Sequence, residues 1–159
     1  RQYQVVLAID DSRSMSESHC GHMALEALIT ICRAMSTLEV GQMAVASFGQ
    51  KGNVKILQDF DTPFSSEVGI EVSFLSVLIN YSSFRLIFNL IVFYFIFQMI
   101  SQFTFRQDNT IADEPMVDLL QYLTCMLDVV SKSSTRPSGH HQLRQLVLII
   151  ADGRFHEKV

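Results

Sequence analysis

An α/β fold with a mostly parallel central sheet and flanking helices is predicted by two apolar runs that stop at an aspartate and by a helical pattern between them. The first run, Val5-Val6-Leu7-Ala8-Ile9, ends in Asp10-Asp11-Ser12-Arg13-Ser14. The second, Gln145-Leu146-Val147-Leu148-Ile149-Ile150-Ala151, ends in Asp152-Gly153. An unbroken run like the first suits a central strand covered on both faces, as in a parallel sheet between helices. The intervening helix is read from Met23, Ala24, Ala27, Leu28, Ile31, Cys32 and Met35, which recur at three-to-four spacing.

The remaining elements follow in order. Met43 to Phe48 reads as a strand, Gly49 to Gly52 as a turn, and Asn53 to Leu57 as the second arm of a hairpin at the sheet edge. Asp59-Phe60-Asp61-Thr62-Pro63 reads as a loop. From Pro115 to Val130, Met116, Leu119, Leu120, Leu123, Leu127 and Val130 predict a second amphipathic helix, and Ser131 to His141 a polar linker before the last strand. One region stands apart. Leu86 to Phe105 carries no charged residue, and the stretch from Phe84 to Phe97 is apolar on every face of a helix. Length and hydropathy alone would make it a membrane-span candidate, whereas its density of Phe and Ile predicts β structure over helix.

Composition predicts one soluble domain. At 159 residues, 48% hydrophobic and a formal charge of −4, the chain is long enough for a core and carries no basic surplus for nucleic-acid binding. Cys32 and Cys125 fall within helical apolar patterns and are expected to be buried thiols. With an odd number of cysteines and no signal peptide before the first strand, a reducing intracellular setting is expected. The chain opens on Arg1, which suggests a segment of something longer.

The chemistry concentrates at the two acidic strand ends. Asp10, Ser12 and Ser14 offer one carboxylate and two hydroxyls, the hard oxygen donors that Mg2+ selects. In a parallel sheet ligands gather at the carboxyl ends of strands, so Asp152 is expected to converge with Asp10 on one crevice. Asp and Ser are also ordinary helix caps, and that reading stands beside the metal site. His19, Cys20 and His22 supply at most three zinc ligands and read as surface-loop residues, as do His140 and His141. A strand ending in Asp-Asp also suggests a haloacid-dehalogenase-like phosphatase with Asp10 as nucleophile, but Ser12 occupies the place of its acid/base aspartate. An extracellular adhesion domain would share the metal site yet predicts a signal peptide and paired cysteines.

D-x-S-x-S after the first strand, Leu38-Glu39-Val40-Gly41-Gln42, Ala46-Ser47-Phe48-Gly49 and Ile149-Ile150-Ala151-Asp152-Gly153-Arg154-Phe155 together resemble a Rossmann-like von Willebrand factor A domain with a metal-ion-dependent adhesion site. More narrowly, the chain resembles the C-terminal domain of the dynein-related AAA+ ATPases of large-subunit ribosome assembly, in their plant forms. The resemblance covers Gln2 to about Glu67 and Met99 to Lys158. It implies a partial domain over residues 1–159, with Val68 to Gln98 a non-family insertion that looks like a translated intron. Further strands and helices are expected beyond the Asp-Gly turn.

What the resemblance implies about function is specific. Asp10, Ser12 and Ser14 would form the first metal loop, Thr110 the second and Asp152 the third, around Mg2+ with Mn2+ as the substitute. A carboxylate from the partner would complete the site. That partner would be the ubiquitin-like domain of a WD-repeat assembly factor on the pre-60S particle, in the nucleus (nucleolus and nucleoplasm), with no direct nucleic-acid or membrane contact. The segment would be a binding domain, and ATP binding would belong to the parent chain.

Overall fold

A computed structural model of the chain describes residues 3–38, 41–50, 53–61, 81–106, 115–133 and 143–154. Strand β1, Tyr3–Asp10, lies inside a four-stranded sheet. Its neighbours β2, Gln42–Gln50, and β4, Arg144–Ile150, both run parallel to it, and β3, Asn53–Gln58, returns antiparallel along β2. The α/β class, the parallel pairing of the two aspartate-ending strands and the hairpin with its second arm at the edge are all present. The arrangement is Rossmann-like, and helices cover both faces of the sheet.

Alternation along β1 explains the layers. Val5, Leu7 and Ile9 point to one face, where they meet Ala24, Leu28 and Cys32 of helix α2, Cys20–Leu38. Spaced four apart, those three residues form a stripe one turn per step. Val6 and Ala8 point to the other face and join Ala44, Ala46, Phe48 and Phe60 against Leu119 and Leu123 of helix α4, Pro115–Ser133. Short helix α1, Arg13–Glu17, follows the first strand directly, so Ser14 sits in a helical turn where a loop was expected.

Helix α3, Tyr81–Ile100, corrects the expectation of β structure for the apolar segment. Val92, Ile96 and Met99 recur at helical spacing and are buried in the core beside α2. Strand propensity reports fit to a pleated, half-buried surface, and it yields to tertiary packing. Extended, the segment would also far outrun the eight-residue β1 it had to pair with. The helix leaves Leu90, Phe93, Tyr94 and Phe97 more than 60% exposed. Its span crosses Gln98, so the expected boundary of the insertion falls inside one continuous helix. Among the described residues no helix is long and apolar enough to cross a membrane.

Three smaller expectations are corrected by the angle of each residue around its helix. Met23 is 68% exposed because it lies about 100° round from Ala24. Leu120 is exposed for the same reason beside buried Leu119, and Cys125, two positions past Leu123, faces solvent. Both apolar stripes are narrower than the sequence pattern suggests.

At the amino-terminal end of the sheet, Gln4 is almost fully buried. It donates to Gln42 Oε1 at 2.9 Å and accepts from Gln145 Nε2 at 3.0 Å. These are the residues paired with it in the ladders on either side, so three amides cross β2, β1 and β4 in line.

Candidate metal site

The carboxyl ends of β1 and β4 bring together Asp10, Ser12, Ser14 and Asp152. The Ile9↔Ile150 pairing sets Asp10 and Asp152 just past the last paired rung. Asp10 is 3% exposed, and its Oδ1 accepts the Ser12 backbone N–H at 2.8 Å. Burial holds the Asp10 carboxyl above the usual carboxylate range, against the lowering effect of the bonds from Ser12 and with the charges of Asp152 and Asp11 adding to the rise.

Ser12 is fully buried, and its hydroxyl lies 2.9 Å from that of Ser14. The two hydroxyls and the Asp10 carboxylate thus occupy one loop and the first turn of α1. Across the crevice Asp152 has a side chain only 3% exposed. Its Oδ1 accepts the Arg154 backbone N–H at 3.0 Å, across a turn in which Gly153 has φ +75°. Arg154 Nε approaches Asp152 Oδ2 only to 3.9 Å, which is a weak, solvent-facing ion pair. Arg13 turns outward to Glu17 at 3.1 Å.

Three residues that sequence reasoning did not single out complete the arrangement. Ser18 Oγ lies 3.2 Å from Asp152 Oδ2 and 2.8 Å from the Ser14 carbonyl, so its single proton serves one at a time. Its signal in the sequence is its place one helical turn after Ser14. Gly49 is a buried β2 residue with φ +95°, and a Cβ there would fall 2.4 Å from Asp10 Oδ1. Asp11 is 1% exposed and accepts the backbone N–H groups of Thr104 and Phe105. From sequence Gly49 reads as a turn residue and Asp11 as part of the motif, without these roles.

The donor set fits a hard dication. Asp10, Ser12, Ser14 and Asp152 offer carboxylate and hydroxyl oxygen, and no lysine or arginine neutralises Asp10 among the described residues. Thr110 lies outside the described residues, as do His140 and His141. Among the described residues, histidine and cysteine do not build a competing site. His19 and His22 are exposed, His22 faces Glu26 at 3.4 Å, and no group of three or more His, Cys, Asp or Glu able to hold a metal occurs among the described residues.

Comparison with known proteins decides the family. Midasin of Dictyostelium discoideum is 35% identical over 153 residues, which is 96% of this chain. Midasin of Giardia intestinalis is 31% identical over 158 residues, or 99% of the chain. The chain is a midasin-type segment. It spans about 2% of the length of the curated relatives it matches. No family model matches the chain. These relatives bear out the midasin-type identity of the sequence reading.

Proposed function

We propose that this midasin-type segment is a metal-dependent protein-docking module, in which Asp10, Ser12, Ser14 and Asp152 hold Mg2+ or, in its place, Mn2+. The observation that carries the reading is the convergence of two buried carboxylates and two hydroxyls at the carboxyl ends of adjacent parallel strands. Bound there, the ion would supply an electrophilic position for a carboxylate from outside. Ser12 and Ser14 orient hydroxyl oxygens toward each other, Asp10 contributes charge from beneath, and Ser18 steadies Asp152. The resemblance adds Thr110 as a further ligand.

The partner proposed is the ubiquitin-like domain of a WD-repeat assembly factor on the pre-60S particle, met in the nucleus, with the ATPase activity residing elsewhere in the parent chain. Catalysis by the segment itself is disfavoured. Asp10 has no acid/base carboxylate two positions on, because Ser12 stands there, and none of these side chains is a base poised to activate a nucleophile. Calorimetry of the chain with Mg2+, then with a ubiquitin-like domain in Mg2+ and in EDTA, tests the reading. Binding that needs the ion and disappears in Asp10→Ala supports it, and equal affinity in the chelator overturns it.

A further inference from the structure

We infer that Asp11 is a positioning residue of this metal site, holding the loop between Asp10 and Ser12 through a clamp on the backbone of Thr104 and Phe105. The inference rests on the metal-site reading above and names a residue that acts on its ligands. Asp11 lies between two of those ligands, yet it forms no ion pair among the described residues. A single oxygen, Oδ1, accepts the N–H of Thr104 at 2.8 Å and of Phe105 at 2.6 Å. Its own N–H donates to the Phe48 carbonyl at 2.8 Å. The residue is therefore fixed at both ends, its backbone to β2 and its side chain to a segment 93 residues away.

The receiving segment is built for the grip. Phe105 has φ +50°, a left-handed conformation that a bulky side chain seldom adopts. That conformation accompanies two successive N–H groups turned onto one oxygen, the geometry of a backbone anion nest. Packing holds it in place. The Phe105 ring stacks on Phe103 at 5.9 Å and lies so close over Gly21 that a Cβ there would fall 3.1 Å from it. Gly21 belongs to the first turn of α2, so the clamp ties the metal loop, the segment after α3 and α2 together.

Strain of this kind persists only where surrounding structure determines it, and it concentrates at binding sites. With the clamp in place, Asp10 and Ser12 are carried on backbone that cannot drift. Without it, the loop is held on the β2 side alone. The expected consequence is a loss of metal affinity larger than the loss of stability accounts for.

The experiment measures Mn2+ affinity by electron paramagnetic resonance of the free ion, beside thermal unfolding in EDTA, for the whole chain and three variants. Asp11→Ala is expected to weaken Mn2+ binding by about 10–100-fold, as disturbed outer-shell interactions do. Asp11→Asn keeps an oxygen able to accept both N–H groups and is expected to stay within about 3-fold, supplying the test if the alanine variant does not fold. Leu123→Ala, in the core on the opposite face, lowers the unfolding temperature but should leave Mn2+ affinity within about 2-fold. Asp11→Ala binding like the wild type, or Asp11→Asn losing affinity as far as the alanine variant or falling outside its 3-fold window, overturns the positioning role. A Leu123→Ala loss matching that of Asp11→Ala does so too, since stability alone would then explain it. Wild-type chain that binds no Mn2+ overturns the metal-site reading itself, a separate outcome.

Discussion

Gly49 and Asp10 compete for one volume: a Cβ on Gly49 would fall 2.4 Å from Asp10 Oδ1. Because the glycine also has φ +95°, any side chain there meets backbone strain and a steric clash together. Gly49→Ala is therefore expected to cost about 1–3 kcal/mol of stability and to displace the Asp10 carboxylate. Urea unfolding measures the first effect and Mn2+ titration the second. A variant as stable as wild type with intact metal affinity would show that Asp10 does not need this contact.

Asp10 gives a prediction with a sign. Its carboxyl is raised by burial, so the folded chain holds that proton more tightly than the unfolded chain does. The associated stability is fully present below the unfolded value near 3.8 and is lost as pH rises through the folded value. Asp10→Asn removes that loss. In EDTA at neutral pH the variant should melt higher than wild type, and the difference should vanish in acid. Mg2+ should raise the melting temperature of wild type and not of the variant.

Thiol chemistry separates the cysteines. Cys32 is fully buried in the core, where loss of solvation pushes its pKa up to about 12. Cys125 is exposed on α4. Alkylation followed by mass spectrometry should label Cys125 within the mixing time and Cys32 only at the rate of unfolding. Rapid labelling of Cys32 in native buffer would contradict the packing of α2 on the sheet.

The two sides of α3 should respond in opposite ways. Phe93→Glu with Phe97→Lys replaces two exposed aromatic rings with an i,i+4 ion pair and is expected to raise the soluble monomer fraction at little cost in stability. Ile96→Ala opens a cavity at a residue 2% exposed and is expected to cost about 2–5 kcal/mol. Light scattering and denaturant unfolding read the two. Equal effects from both faces would mean that α3 does not pack as described.

The end of β1 was legible because composition marks the run closed by Asp10 as buried, and parallel pairing dictates where the run closed by Asp152 meets it; among the described residues β4 itself is an edge strand whose Leu146 and Ile149 are exposed, which its apolar composition does not show. Ser12 and Ser14 were legible from their spacing. Asp11, Ser18 and Gly49 were not, since what each does is set by groups brought near only by folding. The donor that Asp11 grips, the Phe105 N–H, is 94 residues distant, and nothing local to Asp11 announces it. The α3 error has another origin. Phe and Ile are frequent in strands for the way they pack, and a helix offering Val92, Ile96 and Met99 to a core satisfies the same apolar demand.

The row of amides at Gln42, Gln4 and Gln145 works as a ruler. Apolar side chains on both faces of β1 would tolerate a shift by two residues, because hydrophobic contact has no direction and the same faces would stay covered. Directional bonds between amides do not tolerate it, and a shifted Gln4 would sit in the core with its polar groups unmet. Asp10 stands six positions along the same strand, about 20 Å away at the usual rise per residue. Each two-residue slip of β4 against β1 would carry Asp152 about 7 Å from its place beside Asp10. The spacing of the carboxylates at one end of the sheet is thus gauged by uncharged side chains at the other.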